Sequence, residues 1–232
     1  MSMKAVIVGA GEGISAAFAR ALVKDGVKVA LAARDPGKLT DIAKELGALT
    51  VVCDVGKPQD VAALFQRIDA ELGHPDVVLF NAGARARGPI TELKPDEVAN
   101  ALMVGAFGGF LVGQEAARRM LPRGQGTILF TGASASVKGY PLSAPFAMAK
   151  FALRGLAQSM ARELAPKGIH VAHFVIDGAV RNAARGTVDR PGGPPDSYLD
   201  PDAIAQSYMS VLKQPRSAWT WEMELRPWVE TF

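Results

Sequence analysis

The chain has 232 residues, 49% of them hydrophobic and 21% charged, with a net charge of +3; this suits one α/β domain with a sizeable core. The weak, dispersed charge, with no run of Lys and Arg, argues against a nucleic-acid partner, and one cysteine, Cys53, excludes an internal disulfide framework or a cysteine-rich zinc site. His74, His170 and His173 are too scattered for a metal site, no apolar stretch reaches membrane-spanning length, and the short apolar run Ala5 to Ala10 has no cleavage-site pattern, so the expectation is a cytoplasmic protein with no membrane partner.

Short apolar runs alternate with helical patterns. Lys4 to Gly9 is a β-branched run ended by glycine, which predicts a strand. Ile14 to Lys24 has apolar residues at helical spacing. Val27 to Ala32 predicts a second strand, and Pro36 to Leu46 a helix with proline in its first turn. Leu49 to Cys53 and Asp76 to Phe80 predict strands on either side of a helix over Val61 to Leu72. Pro95 to about Met120 reads as one or two helices loosened by Gly105, Gly108, Gly109 and Gly113. Gly126 to Thr131 predicts a fifth strand, Ala144 to Leu164 a long helix, Ile169 to Ile176 a sixth strand, Asp202 to Leu212 a helix, and Trp219 to Leu225 a last strand. Cys53 is expected to be a buried small hydrophobe. His170 and His173 flank the sixth strand and are expected as surface or packing residues, and the tryptophans 219, 221 and 228 as packing for the last strand and a subunit interface.

This alternation predicts an α/β fold, a doubly wound parallel sheet with helices on both faces. No linker divides residues 1–232, which predicts a single domain. The one irregular stretch, about 182–200, contains "DRPGGPPD". Prolines and glycines at that density hold no regular element, and a loop of that length in a compact domain is expected to be either disordered or a lid over a site.

"VGAGEGIS" follows the first strand directly. Gly9, Gly11 and Gly13 permit a tight turn and close approach to a ligand, and the next helix would present its N-terminal amides, from Ile14 and Ser15, to a phosphate. Placed between a strand and a helix, the turn reads as a dinucleotide cradle. At the end of the second strand comes "LAARDPGK". An acid there would hold the ribose hydroxyls of NAD. Ala33 stands in its place and Arg34 follows, and a guanidinium suits a 2′-phosphate. NADP(H) is therefore expected over NAD(H), although Glu12 in the glycine loop counts the other way.

With "CDV" (Cys53 to Val55), "NAG" (Asn81 to Gly83) and Lys150 added to this turn, the sequence resembles the short-chain dehydrogenase/reductase family over nearly its whole length. The resemblance implies a Rossmann-type sheet of about seven strands in three α/β/α layers. It implies that Asp54 and Val55 meet the adenine, that Asn81, Ala82 and Gly83 end the fourth strand at the cofactor, and that Lys150 and Gly178 lie beside the nicotinamide. It also implies a homodimer or homotetramer paired through the helices near 104–120 and 146–165.

The family's catalytic group is Asn, Ser, Tyr and Lys, with tyrosine as the acid/base. In "PFAMAK" the tyrosine position is Phe146. By the family's spacing the serine position is Ala133 and the asparagine position Gly105, so only Lys150 survives. A phenyl ring exchanges no proton, which leaves several substitutes in play: Asp177 in "VIDGAV", Tyr140 and Ser143 in the loop before the long helix, Ser134 beside Ala133, and Lys150 itself if burial depresses its pKa. Three functions follow. The first is an oxidoreductase moving hydride to or from a small carbonyl or alcohol by a modified proton path. The second is an NADP-binding sensor or partner subunit without turnover. The third is another reaction on the same scaffold. Arg181, Arg185 and Arg190 hint at an anionic or polar substrate group.

Overall fold

The computed structural model describes residues 2–182, 186–187 and 193–231. Seven strands run parallel in one sheet: β1 (Lys4–Val8), β2 (Lys28–Ala33), β3 (Leu49–Val52), β4 (Val77–Phe80), β5 (Gly126–Thr131), β6 (Ile169–Ile176) and β7 (Glu222–Leu225), in the order 3-2-1-4-5-6-7. The helices between them are α1 (Ile14–Lys24), α2 (Thr40–Leu46), α3 (Pro58–Glu71), α4 (Pro95–Leu102), α5 (Gly108–Met120), α6 (Ala144–Leu164) and α7 (Pro201–Leu212). This is a Rossmann-type three-layer α/β/α fold.

Strand alternation divides the core. Val6 and Val8 point into a cluster with Phe65 of α3, Val112 and Met120 of α5 and Leu153 of α6. Ala5 and Ile7 point the other way, onto Phe18 and Leu22 of α1 and Tyr208 of α7. Both faces of the central strands are covered, which is why they read as continuous apolar runs. Cys53 is buried as expected, and burial pushes its thiol up to about 12.

The sequence reading errs in two places. The glycines after Pro95 do not loosen the helix; α4 continues through a π-helical turn, Met103–Phe107, into α5. These glycines bring helices together: a Cβ on Gly109 would lie 2.5 Å from Leu153 Cδ1. The last strand starts at Glu222 and not at Trp219, because Gln214 holds the preceding segment, accepting from the Thr220 amide through its side chain and from Trp219 Nε1 through its carbonyl. Of the two roles expected for His170 and His173, packing holds: both lie inside β6 and are buried. Trp219 stacks on His170 at 4.7 Å, whereas Trp228 is exposed and donates to the Pro195 carbonyl. The expected lid falls partly outside the described residues, as do Arg185 and Arg190. Of its described part, Val180 pairs with Leu199 and Asn182 with Thr187. Among the described residues no helix is long and apolar enough to cross a membrane, and no cluster of His, Cys, Asp and Glu could hold a metal.

Candidate active site

In this strand order the chain leaves β1 toward one side of the sheet and β4 toward the other. A crevice opens between their C-terminal ends, where such sheets bind ligands. Gly9 ends β1 with φ of 82°, and a Cβ there would sit 2.4 Å from the Ala82 amide nitrogen. No other residue fits. Asn81 donates from Nδ2 to Ser15 Oγ at 2.8 Å, and Ser15 Oγ reaches the Gly9 carbonyl at 3.3 Å. The turn after β1 and the turn after β4 are thereby joined. Ser15, which stands where the family pattern has its third glycine, is buried and acts as the joint.

The geometry fits a dinucleotide. A Cβ on Gly11 or on Gly83 would meet nothing within 4 Å, so open space lies beside both backbones. Gly13 has φ of 91° and precedes the first turn of α1, where Ile14 and Ser15 carry amides without helical partners. Arg34 is exposed at the end of β2 and makes no ion pair among the described residues. Asp54 is half-buried and accepts from the Gly56 amide, with Val55 buried behind it. Gly178 has φ of 148° and abuts Pro227, 2.7 Å from where its Cβ would be, so packing alone already requires a glycine.

Lys150 is buried on α6 and donates to the Thr131 carbonyl at 2.7 Å. Burial, reinforced by the charge of Arg85, lowers it to about 8. Its Nζ lies 5.8 Å from the centre of the Phe146 ring, and the Arg85 guanidinium carbon lies 4.4 Å from the same centre. A Cβ on Gly105 would lie 2.9 Å from Ala149 Cβ. The π-helical turn rests so closely on α6 that the asparagine position has no room for an asparagine.

The substitutes divide clearly. Asp177 is buried, but its carboxylate bonds Lys138 Nζ at 3.0 Å and Arg226 at 3.0 Å. It ties together the loops after β5, β6 and β7. Tyr140 is exposed, and Ser143 stands at the α6 N-cap without a capping bond from its side chain. Ala133 leads into a 3₁₀ turn, Ser134–Ser136, where Ser134 is half-buried and has no side-chain hydrogen bond among the described residues.

Two features escaped the sequence reading. One is Arg85, two residues past the "NAG" motif, which only the path of the loop brings onto Phe146. The other is a buried relay. Arg154 makes a double hydrogen bond with Glu222, at 2.6 and 2.7 Å. Glu222 accepts from His173 Nδ1 at 3.0 Å. Burial lowers His173 to about 4, so the ring is neutral, and Nε2 is left to accept from Ser136 Oγ at 3.4 Å. Ser136 Oγ in turn accepts from the Ala133 amide at 3.1 Å. No sequence motif links these residues; strands β6 and β7 bring them together.

A glycine-turned crevice at the switch point of a parallel sheet, with a buried lysine on its rim, defines a dinucleotide-binding Rossmann protein. The family model described as short chain dehydrogenase matches residues 3–188, and the chain belongs to that family. It is 34% identical over 173 residues to short chain aldehyde dehydrogenase 1 of Euphorbia lathyris, with 72% of this chain and 60% of that protein covered. Among solved structures, a short-chain dehydrogenase from Rhodopseudomonas palustris is 38% identical with a TM-score of 0.83, covering 97% of this chain and 99% of that one. An alcohol dehydrogenase from the archaeon Thermococcus sibiricus, complexed with 5-hydroxy-NADP, is 29% identical with a TM-score of 0.87, covering 100% and 99%.

Proposed function

We propose that this protein is an NADP(H)-dependent oxidoreductase acting on a small carbonyl or alcohol, with Lys150 as the proton carrier in place of the family's tyrosine. The observation that carries the reading is Lys150 itself, buried and lowered to about 8 beside a phenyl ring that has no proton. A general acid works best with a pKa near the working pH. The nicotinamide, when bound, supplies or accepts the hydride. The Lys150 ammonium gives its proton to the substrate oxygen as that oxygen becomes a hydroxyl, and the amine regains a proton from solvent. An ammonium has three N–H donors. One is spent on the Thr131 carbonyl and fixes the side chain. Ser134 supplies a hydroxyl near the Ala133 position for orienting the substrate oxygen.

In this reading Gly9, Gly11, Gly13, Ile14 and Ser15 hold the pyrophosphate, Arg34 the 2′-phosphate, and Asp54 and Val55 the adenine. Asn81, Ala82, Gly83, Lys150 and Gly178 line the nicotinamide end. The bound nucleotide of the Thermococcus sibiricus relative supports NADP. Residues 1–232 act as one cytoplasmic domain, on a small molecule and not on nucleic acid. The exposed Phe107 and Phe110, stacked at 6.0 Å, with Met103, Met148 and Phe151 on the neighbouring helix faces, fit pairing into a homodimer or homotetramer.

The test is NADPH consumption with a broad carbonyl panel. Wild type should turn over at least one compound, and Lys150→Met should abolish it. The three substituted positions Phe146, Ala133 and Gly105 favour a second reading, a cofactor-binding protein without turnover. Tight NADPH binding with no consumption across the panel would select it.

A further inference from the structure

We propose that a cavity between α6 and the segment before β7, remote from the crevice, is a second binding site, and that its ligand is a planar aromatic carboxylate of a single ring. The proposal does not rest on the oxidoreductase reading, because none of the crevice residues lines this cavity.

The cavity measures about 190 Å³ and lies between the C-terminal half of α6, the start of β6 and the segment before β7. His170 lines it, and the run of β6 from His170 to Ile176 at the crevice end spans ~20 Å. The volume is below that of most ligand pockets, which limits an occupant to one ring with one small group.

Two indoles, Trp219 and Trp221, form the aromatic wall. Trp219 stacks on His170 with ring centres 4.7 Å apart and planes within 3° of parallel, and its Nε1 donates to the Gln214 carbonyl at 3.3 Å. Burial lowers the pKa of His170, so the ring is neutral at pH 7 and its Nε2 donates to the Thr220 carbonyl at 2.8 Å. The Arg154 guanidinium carbon lies 5.5 Å from the Trp221 ring centre, while the same guanidinium bonds Glu222. The rings are thus fixed before a ligand arrives, and a fixed aromatic wall suits a flat aromatic partner in offset or edge-on contact.

The polar wall is the face of α6 that carries Gln158 and Arg162, four residues apart. Neither side chain makes a hydrogen bond or an ion pair among the described residues. Arg118, Arg119 and Arg154 of α5 and α6, by contrast, all bond carboxylates. No carboxylate lines the cavity. Of the neighbouring acids, Glu163 pairs with Lys167 at 3.5 Å, and Glu222 is taken by Arg154 and His173. A guanidinium fork binds a carboxylate through two parallel hydrogen bonds, and the Gln158 amide adds a further donor. One cation matches one negative charge, which favours a carboxylate over a phosphate.

The experiment follows the indole N–H signals of the three tryptophans by NMR in the isotope-labelled whole protein, with and without NADPH. The signals are assigned from Trp219→Phe and Trp221→Phe. The probes are benzoate and benzamide, which have nearly the same shape and differ in charge. Benzoate should shift the Trp219 and Trp221 signals saturably, leave Trp228 in place, and bind about tenfold more tightly than benzamide. Arg162 is exposed and methionine is a good helix former, so Arg162→Met should keep the fold, which a melting curve verifies. That variant should erase the preference for benzoate, and Arg162→Lys should keep part of it. Four results overturn the proposal. One is no movement of the Trp219 and Trp221 signals at millimolar benzoate, as when a second copy of the chain covers the cavity. Another is an equal response to the two probes, and a third is a preference that survives in Arg162→Met. The last is a response that NADPH abolishes, which would put the ligand in the crevice.

Discussion

Asn81 donates its side-chain amide to Ser15 Oγ at 2.8 Å, across 66 residues of sequence. The bond fastens the turn after β4 to the first turn of α1, at the crevice proposed to hold the nucleotide. Ser15→Ala leaves the Asn81 amide without this partner in a half-buried place. A loss of about 1–2 kcal/mol in unfolding free energy is expected, with weaker NADPH binding, measured by urea denaturation and fluorescence titration. An unchanged nucleotide affinity would mean that the joint does not shape the cradle.

Arg34 should discriminate between the two nicotinamide cofactors. A charge-assisted hydrogen bond contributes about 1.5–3 kcal/mol, so Arg34→Ala is expected to weaken NADPH binding by about tenfold or more and to leave NADH binding unaltered. Equal weakening of both nucleotides would show a general electrostatic effect and no reading of the 2′-phosphate.

Lys150 should leave two signatures in pH. Its folded value is about 8 and its ordinary value 10.5, so between them the unfolded chain binds a proton that the folded chain has released. Stability therefore rises with pH through that window, and at neutral pH the buried charge is a burden. Lys150→Met should stabilise the fold at pH 7 by about 3 kcal/mol at most, less about 1 kcal/mol for the lost bond to Thr131. The difference should close by pH 10 in denaturation curves. Carbonyl reduction should fall as pH climbs past about 8, because the donor is then uncharged; a flat profile from 7 to 9.5 would exclude Lys150 as that donor.

His173 gives the opposite end of the scale. Burial lowers it from 6.5 to about 4, so between these values the unfolded chain again holds the extra proton. Stability is lost as pH falls from 6.5 toward 4, by about 3 kcal/mol over the whole range. In His173→Gln that part of the acid sensitivity should vanish, seen as parallel unfolding midpoints at pH 6.5 and 4.5.

Restoring the family's serine and tyrosine with Ala133→Ser and Phe146→Tyr should raise reduction of simple ketones, read as NADPH consumption in a folded, nucleotide-binding variant. Adding Gly105→Asn should cost about 1–3 kcal/mol through overpacking against α6. No gain from the double change would show that positions 133 and 146 do not face the substrate.

Most of the fold was legible because each element carries its own local signal. Ala144–Leu164 and Gly126–Thr131 show their period or their run within a few residues. The glycine turn was legible for the same reason, since the positive φ at Gly9 and Gly13 is a local demand on residue type. What failed to show was whatever depends on elements meeting. The π-helical turn answers to close packing on α6 and not to its own composition. Asp177 reads as a candidate acid until Lys138 and Arg226, from two other loops, are seen on its carboxylate. Arg85 reads as a loop charge until the fold lays it on Phe146.

The contact between Gly105 and Ala149 also fixes the order of any mutational route toward a full tetrad. With 2.9 Å between the two Cβ positions, a larger residue at 105 meets α6 at once, so an asparagine is closed as a first step. Shrinking residue 149 to glycine opens the space, at about 1 kcal/mol for glycine within a helix. Only then does position 105 become available. Selection for ordinary ketoreductase activity should therefore return changes at 146 and 133 readily, and changes at 105 only in lineages that already carry Ala149→Gly.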